Sequence, residues 1–475
     1  MTQSSVPQVP KGNASWLAGM SENLSFHGSP EAFIASRVVQ YQKDRPDAVR
    51  YRTPVRAKIL NRSVIVLSAY GHITQVLDSA GHGNSLDKDA AFLAVPPYQQ
   101  LMADFFPKPN LLLEDGPAHR AMRQSWAPCA RALEPARTSA SVKDLVRRSL
   151  LDRPRDTPID LYGALKDLSW DIFLAVFLET SRTDPIFGKI VKLQEELLRG
   201  QFSLFPASVN VGVWQSPRHR GVRARKKLQE LITEIIAVRR PRWLATFDAG
   251  QRDAEEMVNH ALMATSSLAV KGFASLLLAF LLNLFIYRYS TNGYPSLSDW
   301  IEAGTEFSRE QRLIAVLNET LRLSPSIPGV MRRASEDKVV MTADEHDPNI
   351  LIPRGFDVWC YFPGANRDPS VFGEDADLFR PARYLDVDHE PAPSTAFGHG
   401  QKSCLGAMFA RDAAVAVYEA FTESHVRLSG AVDNVGVRGL LGWQVATPQQ
   451  WAEGVKQLPT QRPSEPIMAC LQEAA

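Results

Sequence analysis

The chain has 475 residues, 45% apolar and 22% charged, with 53 Lys and Arg against 52 Asp and Glu and a net charge of +1. That balance leaves no cationic excess to neutralise a phosphate backbone, so nucleic acid is not expected as a partner. The four cysteines, Cys129, Cys360, Cys404 and Cys470, are far apart and show no paired metal-ligand spacing, which argues against a disulfide framework and against a zinc site.

The amino-terminal stretch MTQSSVPQVPKGNASWLAGMSENLSF is polar. It shows neither the basic-then-apolar order of a secretory leader nor the run of about 20 apolar residues of a membrane anchor, so a cytoplasmic location is expected. Val55, Ala57 and Ile59 alternate with Arg56 and Lys58, and Asn61-Arg62 then precede Val64 to Leu67, a pattern that predicts a hairpin. From about residue 70 to residue 325 the periodicity is helical, with amphipathic stretches such as 142–151 and 223–238. The most apolar run, Gly272 to Tyr287, follows Lys271 and is short for a bilayer, so it predicts a helix buried on all sides. After Pro325, Pro and Gly recur every few residues, and one strong helix follows near Cys404. No repeat, low-complexity segment or linker divides the chain. The expectation is a single mainly α domain over 1–475 with small β-rich subregions at each end, and with 1–25 and 455–475 as flexible tails.

The chemistry is concentrated in Phe397-Gly398-His-Gly400-Gln-Lys-Ser-Cys404-Leu-Gly406. Glycines at 398, 400 and 406 allow backbone conformations closed to other residues and a close approach to a flat ligand. Apolar positions Leu405, Met408, Phe409, Ala413 and Ala416 follow helical spacing, which sets Cys404 at a helix N-terminus. Free N–H groups and the helix dipole favour a thiolate there, and a lone thiolate suits the proximal position of a haem iron. Most lone cysteines are merely buried, and that reading stays beside the other.

With these residues the sequence resembles the cytochrome P450 superfamily, whose haem loop reads FGxGxxxCxG; Phe397, Gly398, Gly400, Cys404 and Gly406 meet every fixed position. The resemblance runs from about residue 25 to 450 and implies the cytochrome P450 fold, with haem b (iron protoporphyrin IX) held by Cys404. Glu319-Thr-Leu-Arg322 matches the family's ExxR, on a helix expected to start at Ser308 with Gln311 completing a capping box. Phe379-Arg-Pro-Ala-Arg383-Tyr384 matches the segment whose arginine joins that pair, so the resemblance implies a buried structural triad of Glu319, Arg322 and Arg383. Ala365-Asn-Arg-Asp-Pro369 looks like the NRDP turn. His119-Arg-Ala-Met-Arg123 matches HxxxR, and Arg332 and Lys402 fall at two further positions that the family uses for the haem propionates. Buried propionates require such partners.

The long central helix departs from the family. Oxygen-activating relatives carry A-G-x-(D/E)-T there, whose acid and alcohol deliver protons. Aligning the apolar tail SLLLAFLL puts Val270 in place of the acid and Lys271 in place of the alcohol, whereas a slip of one turn offers Ser267 the role with no acid beside it. Three readings follow. The first is a monooxygenase using O2 and electrons from a separate ferredoxin or flavodoxin type partner, with non-standard proton delivery. The second is a peroxygenase or hydroperoxide-rearranging enzyme in which Lys271 anchors a substrate carboxylate. The third is a haem-binding module without turnover. Phe202, Phe205, Val209, Val211 and Val213 suggest a hydrophobic small-molecule substrate. Cys129 and Cys360 look structural, Cys470 falls in the expected tail, and His399 could pack beside the macrocycle or point outward.

Overall fold

A computed structural model describes residues 16–43, 51–59, 62–78, 91–133, 135–203, 208–212, 214–245, 254–286, 296–303, 306–341, 349–386, 391–430 and 454–474. In chain order its helices are α1 (Trp16–Gly28), α2 (Pro30–Tyr41), α3 (Tyr70–Asp78), α4 (Val95–Met102), α5 (Gly116–Arg131), α6 (Pro135–Val146), α7 (Leu161–Leu178) and α8 (Phe187–Gln201). They continue as α9 (Pro217–Arg239), α10 (Ala254–Ala264), α11 (Ser267–Leu281), α12 (Leu297–Glu302), α13 (Arg309–Leu323), α14 (Phe362–Ala365), α15 (Pro369–Phe372) and α16 (Ala407–Glu423). The strands are β1 (Val55–Ile59), β2 (Arg62–Leu67), β3 (Phe92–Leu93), β4 (Ile159–Asp160), β5 (Gly329–Ala334) and β6 (Lys338–Val340). After them come β7 (Ile350–Ile352), β8 (Asp357–Tyr361), β9 (Val426–Gly430), β10 (Val455–Lys456), β11 (Arg462–Pro463) and β12 (Met468–Glu473).

Local signals set many of these boundaries. Ser29 accepts from the Ala32 N–H and Pro30 opens α2, while Ser308 and Gln311 form the capping box of α13. The hairpin of β1 and β2 pairs Val55 with Val66 and Ile59 with Arg62; Asn61 lies outside the described residues. It extends into a five-stranded sheet of order β1-β2-β8-β5-β3, with β2 parallel to β8. Side-chain alternation gives this sheet two buried faces. Trp359 and Tyr361 pack with Phe26, Phe33 and Val64, and Val358 and Cys360 pack with Ile65, Ile73 and Val76.

Neither expected tail is free of structure. α1 starts at Trp16, and Phe26 at its end packs edge-on to Trp359 with ring centroids 4.9 Å apart. At the other end β12 pairs with β9, Leu471 opposite Leu428, and with β4, Ala469 opposite Ile159. Ala469 and Leu471 are buried on one face, and Cys470 faces the other way, opposite Ser429. At the carboxy-terminal end a short alternating pattern, Ala469 and Leu471 against Cys470, is what the sheet uses.

The large core is helical. Val270, Phe273, Ala274 and Leu276 to Leu282 are all buried, so α11 is enclosed from Phe273 onward, whereas its first turns at 268–272 are in part only half-buried. The run 254–286 is long and apolar enough to cross a membrane by length and composition, yet 72% of its most apolar window is buried inside the protein. It is interrupted at Thr265–Ser266, where Ser266 leaves helical geometry (ψ 146°) and caps α11 through the Ala269 N–H. Above it α8 and α9 meet backbone to backbone. A Cβ on Gly200 would stand 2.8 Å from the Gly221 Cα, so only glycine fits this crossing.

Candidate functional site

The loop 395–406 is built around two glycines with positive φ, Gly398 at +77° and Gly400 at +68°. A Cβ on Gly400 would lie 2.8 Å from the Leu77 carbonyl oxygen, so the loop packs directly against the end of α3. The Cys404 N–H donates to the Phe397 carbonyl at 2.8 Å and closes the loop. Phe397 itself is half-buried against the main core. Cys404 precedes α16, whose N-cap is Gly406. Its side chain is accessible although protein surrounds it, which is the geometry of a group lining an interior cleft. Burial pushes its thiol up, and the Gly406 N–H and the Arg123 charge oppose that shift.

Behind the loop lies a fully buried charge cluster. Arg322 grips both oxygens of Glu319, Nε to Oε2 and Nη2 to Oε1, each at 2.7 Å. Arg383 Nε reaches Glu319 Oε1 at 3.0 Å, and the Arg380 N–H adds a bond of 2.7 Å to the same oxygen. Burial disfavours the Arg322 charge, and the adjacent Glu319 outweighs it, so the guanidinium is held above its ordinary range. Arg322 also donates to the carbonyls of Asn366 and Ala376 at 2.6 Å. Asn366 in turn accepts at Oδ1 from the Thr395 N–H at 2.8 Å and from its hydroxyl at 2.9 Å. The sequence marked 365–369 only as a turn; the structure makes Asn366 the link between the charge cluster and the cysteine loop.

The cations converge on the other side of Cys404. Arg123 Nη1 donates to the Ser403 carbonyl at 2.8 Å and Nη2 to its Oγ at 3.2 Å. Lys402 pairs with Asp115 at 3.2 Å and donates to the Leu111 carbonyl at 3.3 Å and to that of Glu114. Burial lowers Lys402 to about 8 despite Asp115. Arg332, on β5, is 4% exposed; Nη1 donates to the Met331 carbonyl, and Nε has no partner among the described residues. His119, on α5, is held down to about 3 by burial and then by Lys402, Arg123, Arg332 and Arg120, so its imidazole is neutral. A small cavity here is lined by Phe92, Leu93, Asp115, Gly116, His119, Gln401 and Lys402.

These residues fit a haem. An accessible thiol in an interior cleft suits the iron. A crowd of interior cations, one with an orphaned Nε, is the charge pattern that two propionates balance.

The central helix is arranged differently from the sequence alignment. Its interruption at Thr265–Ser266 lies a turn before Val270 and Lys271, and Ser267 is the first residue beyond it. Val270 is packed into the core. Lys271 Nζ is held by Glu195 Oε2 of α8 at 2.7 Å, and burial lowers its pKa against the pull of that carboxylate. Ser267 Oγ donates to the other oxygen, Glu195 Oε1, at 3.0 Å. Next to it Gln194 Nε2 donates to Thr265 Oγ1 at 3.3 Å. Sequence reasoning missed Glu195, since nothing in an amphipathic helix signals which neighbour its acid will meet.

Among the remaining expectations, Cys360 lies buried in β8 with its thiol pushed up to about 12 by burial, and Cys129 is buried in α5. His399 turns to α3, Nε2 3.0 Å from Asp78 Oδ2. Phe202 and Val209 are half-buried, but Val211 is 62% exposed and faces solvent, not a pocket. Phe205 and Val213 lie outside the described residues.

Comparison with known proteins agrees with this geometry. The Cytochrome P450 family model matches residues 312–414, from α13 through the cysteine loop into α16. The chain is 25% identical over 434 residues to cytochrome P450 85A1 of Oryza sativa subsp. japonica, a match covering 84% of this chain and 83% of that protein. It is 35% identical over 114 residues to the self-sufficient cytochrome P450 monooxygenase CYP505E3 of Phanerodontia chrysosporium. That match spans 23% of this chain and 10% of the much longer relative. The structure of the retinoic acid bound cyanobacterial CYP120A1 superposes with a TM-score of 0.71 at 18% identity, over 99% of this chain and all of that one, and shows the same fold. The chain thus has the cytochrome P450 fold and carries the sequence pattern of the cytochrome P450 family over residues 312–414.

Proposed function

We propose that the protein is a haem-thiolate monooxygenase that inserts oxygen into a hydrophobic small molecule, using O2 and electrons from a separate redox partner. The observation that carries this reading is the accessible Cys404 thiol, set in a braced loop beside interior cations. Haem b, when bound, supplies the oxygen-activating chemistry. Cys404 would ligate the iron through its thiolate. Arg332 and His119 would bind the propionates, while Arg123 ties α5 to Ser403 and keeps the loop in register. The Glu319, Arg322 and Arg383 triad orients the loop through Asn366 and touches no substrate.

The acid missing from α11 is present across the helix interface. Ser267 holds its hydroxyl proton toward Glu195, and Glu195 and Lys271 are about a fifth exposed (22% and 20%), so this pair links solvent to the buried helix break. The same pair argues against a substrate carboxylate on Lys271, whose ammonium is already neutralised.

Purified protein is to be given substrate extracts once with a reductase system and O2 and once with hydrogen peroxide alone. Product that requires electrons is expected. Product with peroxide alone would move the protein to the peroxygenase reading, and no product in either would leave a binding module.

A further inference from the structure

The hairpin of β10 and β11 has no role in the site so far, yet its turn is held from three sides. Gln457 accepts at Oε1 from the Glu31 N–H at 2.9 Å and donates through Nε2 to the Tyr361 hydroxyl at 2.9 Å. The Gln461 N–H donates to the Ser326 carbonyl at 2.8 Å. Arg462 Nη1 closes the turn on the carbonyls of Leu458 at 2.8 Å and Thr460 at 3.2 Å. The backbone is braced, and the polar side chains at the tip are not. Thr460, 0% exposed, has no partner for Oγ1, and Gln461, 1% exposed, has none for Nε2 or Oε1. Tyr162, on the first turn of α7, faces Thr460, Ser275 and Arg462, and its buried Oη also makes no hydrogen bond. Burial pushes that phenol up, so the hydroxyl keeps a proton to donate. Arg462 is half-buried, and no carboxylate among the described residues pairs with it. The charge it meets on α11 is that of Lys271, of its own sign and already held by Glu195.

Buried polar atoms are nearly always paired, so four without partners, on a braced turn beside an unpaired cation, mark a place that a ligand completes. We propose that Arg462, Tyr162, Thr460 and Gln461 form a subsite for the carboxylate end of a hydrophobic substrate. The guanidinium selects an anion. Phenol, hydroxyl and amide add donors, and a carboxylate offers about four lone-pair sites to receive them. Solvent does not reach the orphaned atoms, so the ligand arrives from within the protein, and the neighbouring segment gives the direction. From Ser326 the chain passes Ile327 beside α11 and continues as β5 to Arg332, one of the cations near Cys404. A Cβ added to Gly272 of α11 would meet only Ile327 Cδ1, at 3.9 Å, so the way between them is open. An apolar body along this segment with a charged end at the turn describes a hydrophobic carboxylic acid. The inference rests on the monooxygenase reading and names its substrate class, with Arg462 in the place that Glu195 denies to Lys271.

The haem-loaded full chain is to be titrated calorimetrically with dodecanoic and hexadecanoic acids, with their methyl esters and with sodium acetate. The acids are expected to bind more tightly than the esters, and acetate not to bind at the concentrations that saturate with the acids. Arg462→Gln should weaken the acids about thirtyfold and leave the esters unchanged. Tyr162→Phe removes only a hydroxyl without a partner, so it should keep the unfolding midpoint and the carbon monoxide spectrum while weakening the acids about tenfold. Should Arg462→Gln fail to fold, Tyr162→Phe decides alone. Absence of acid binding, equal affinity for acids and esters, or an acid preference that survives substitution would overturn the proposal. Acetate binding as tight as that of the acids would overturn it in favour of a free-anion site, and a crystal structure showing ordered water alone at these atoms with the acid bound elsewhere would do so too. Binding heat needs neither electrons nor O2, so its failure is separable from failure of the monooxygenase reading.

Discussion

Glu319 is wholly buried and serves two guanidiniums at once, so removing its charge leaves the buried Arg322 uncompensated and Arg383 with only Asp375, 3.3 Å from its Nη2. Replacing it by Gln is expected to cost about 3–5 kcal/mol, the range for breaking a buried pair on one side. Urea unfolding of the haem-loaded protein reads that loss directly; a shift below about 1 kcal/mol, as for a surface pair, would contradict the bracing role. The spacing of Glu319 and Arg322 was readable because three residues along a helix share a face. The third member and the carbonyls that Arg322 grips lie 44 to 64 residues away, and only the resemblance to a family pointed to Arg383. The resemblance marked Asn366 only as part of a turn, because an amide there reads as local turn chemistry until the fold brings Thr395 beside it.

At the level of elements, the central helix shows why periodicity alone misplaces a site. Apolar spacing correctly gave α11 as an enclosed core helix, but it holds no mark for where the helix breaks. The break at Thr265–Ser266 arises from serine capping, with Ser266 accepting from Ala269. That capping signal sits inside an otherwise continuous apolar run, where it is easily read as mere helix surface. The consequence is that Lys271 belongs to the contact between α8 and α11. Lys271→Ala should therefore leave affinity for carboxylic acids and for their neutral esters equally unchanged in a spectral binding titration. A selective loss of affinity for the acids would return Lys271 to the substrate pocket. The carboxy-terminal end teaches the same lesson: β12 is only six residues long, and strands that short carry too few alternations to be separated from a polar tail.

For the molecule as a whole, the legible part was the loop 397–406, whose residue types at fixed spacing match the family pattern, and the helix that follows it. What stayed illegible were contacts chosen by packing, such as Glu195 with Ser267 and Gly200 with Gly221, where any of several pairs would satisfy the same local pattern. Everything proposed for turnover depends on sulfur ligation of iron at residue 404. Carbon monoxide added to the dithionite-reduced protein should give the red-shifted Soret band of a thiolate-bound haem, and Cys404→Ala should abolish that band. A Soret band left unchanged in Cys404→Ala would contradict the assignment.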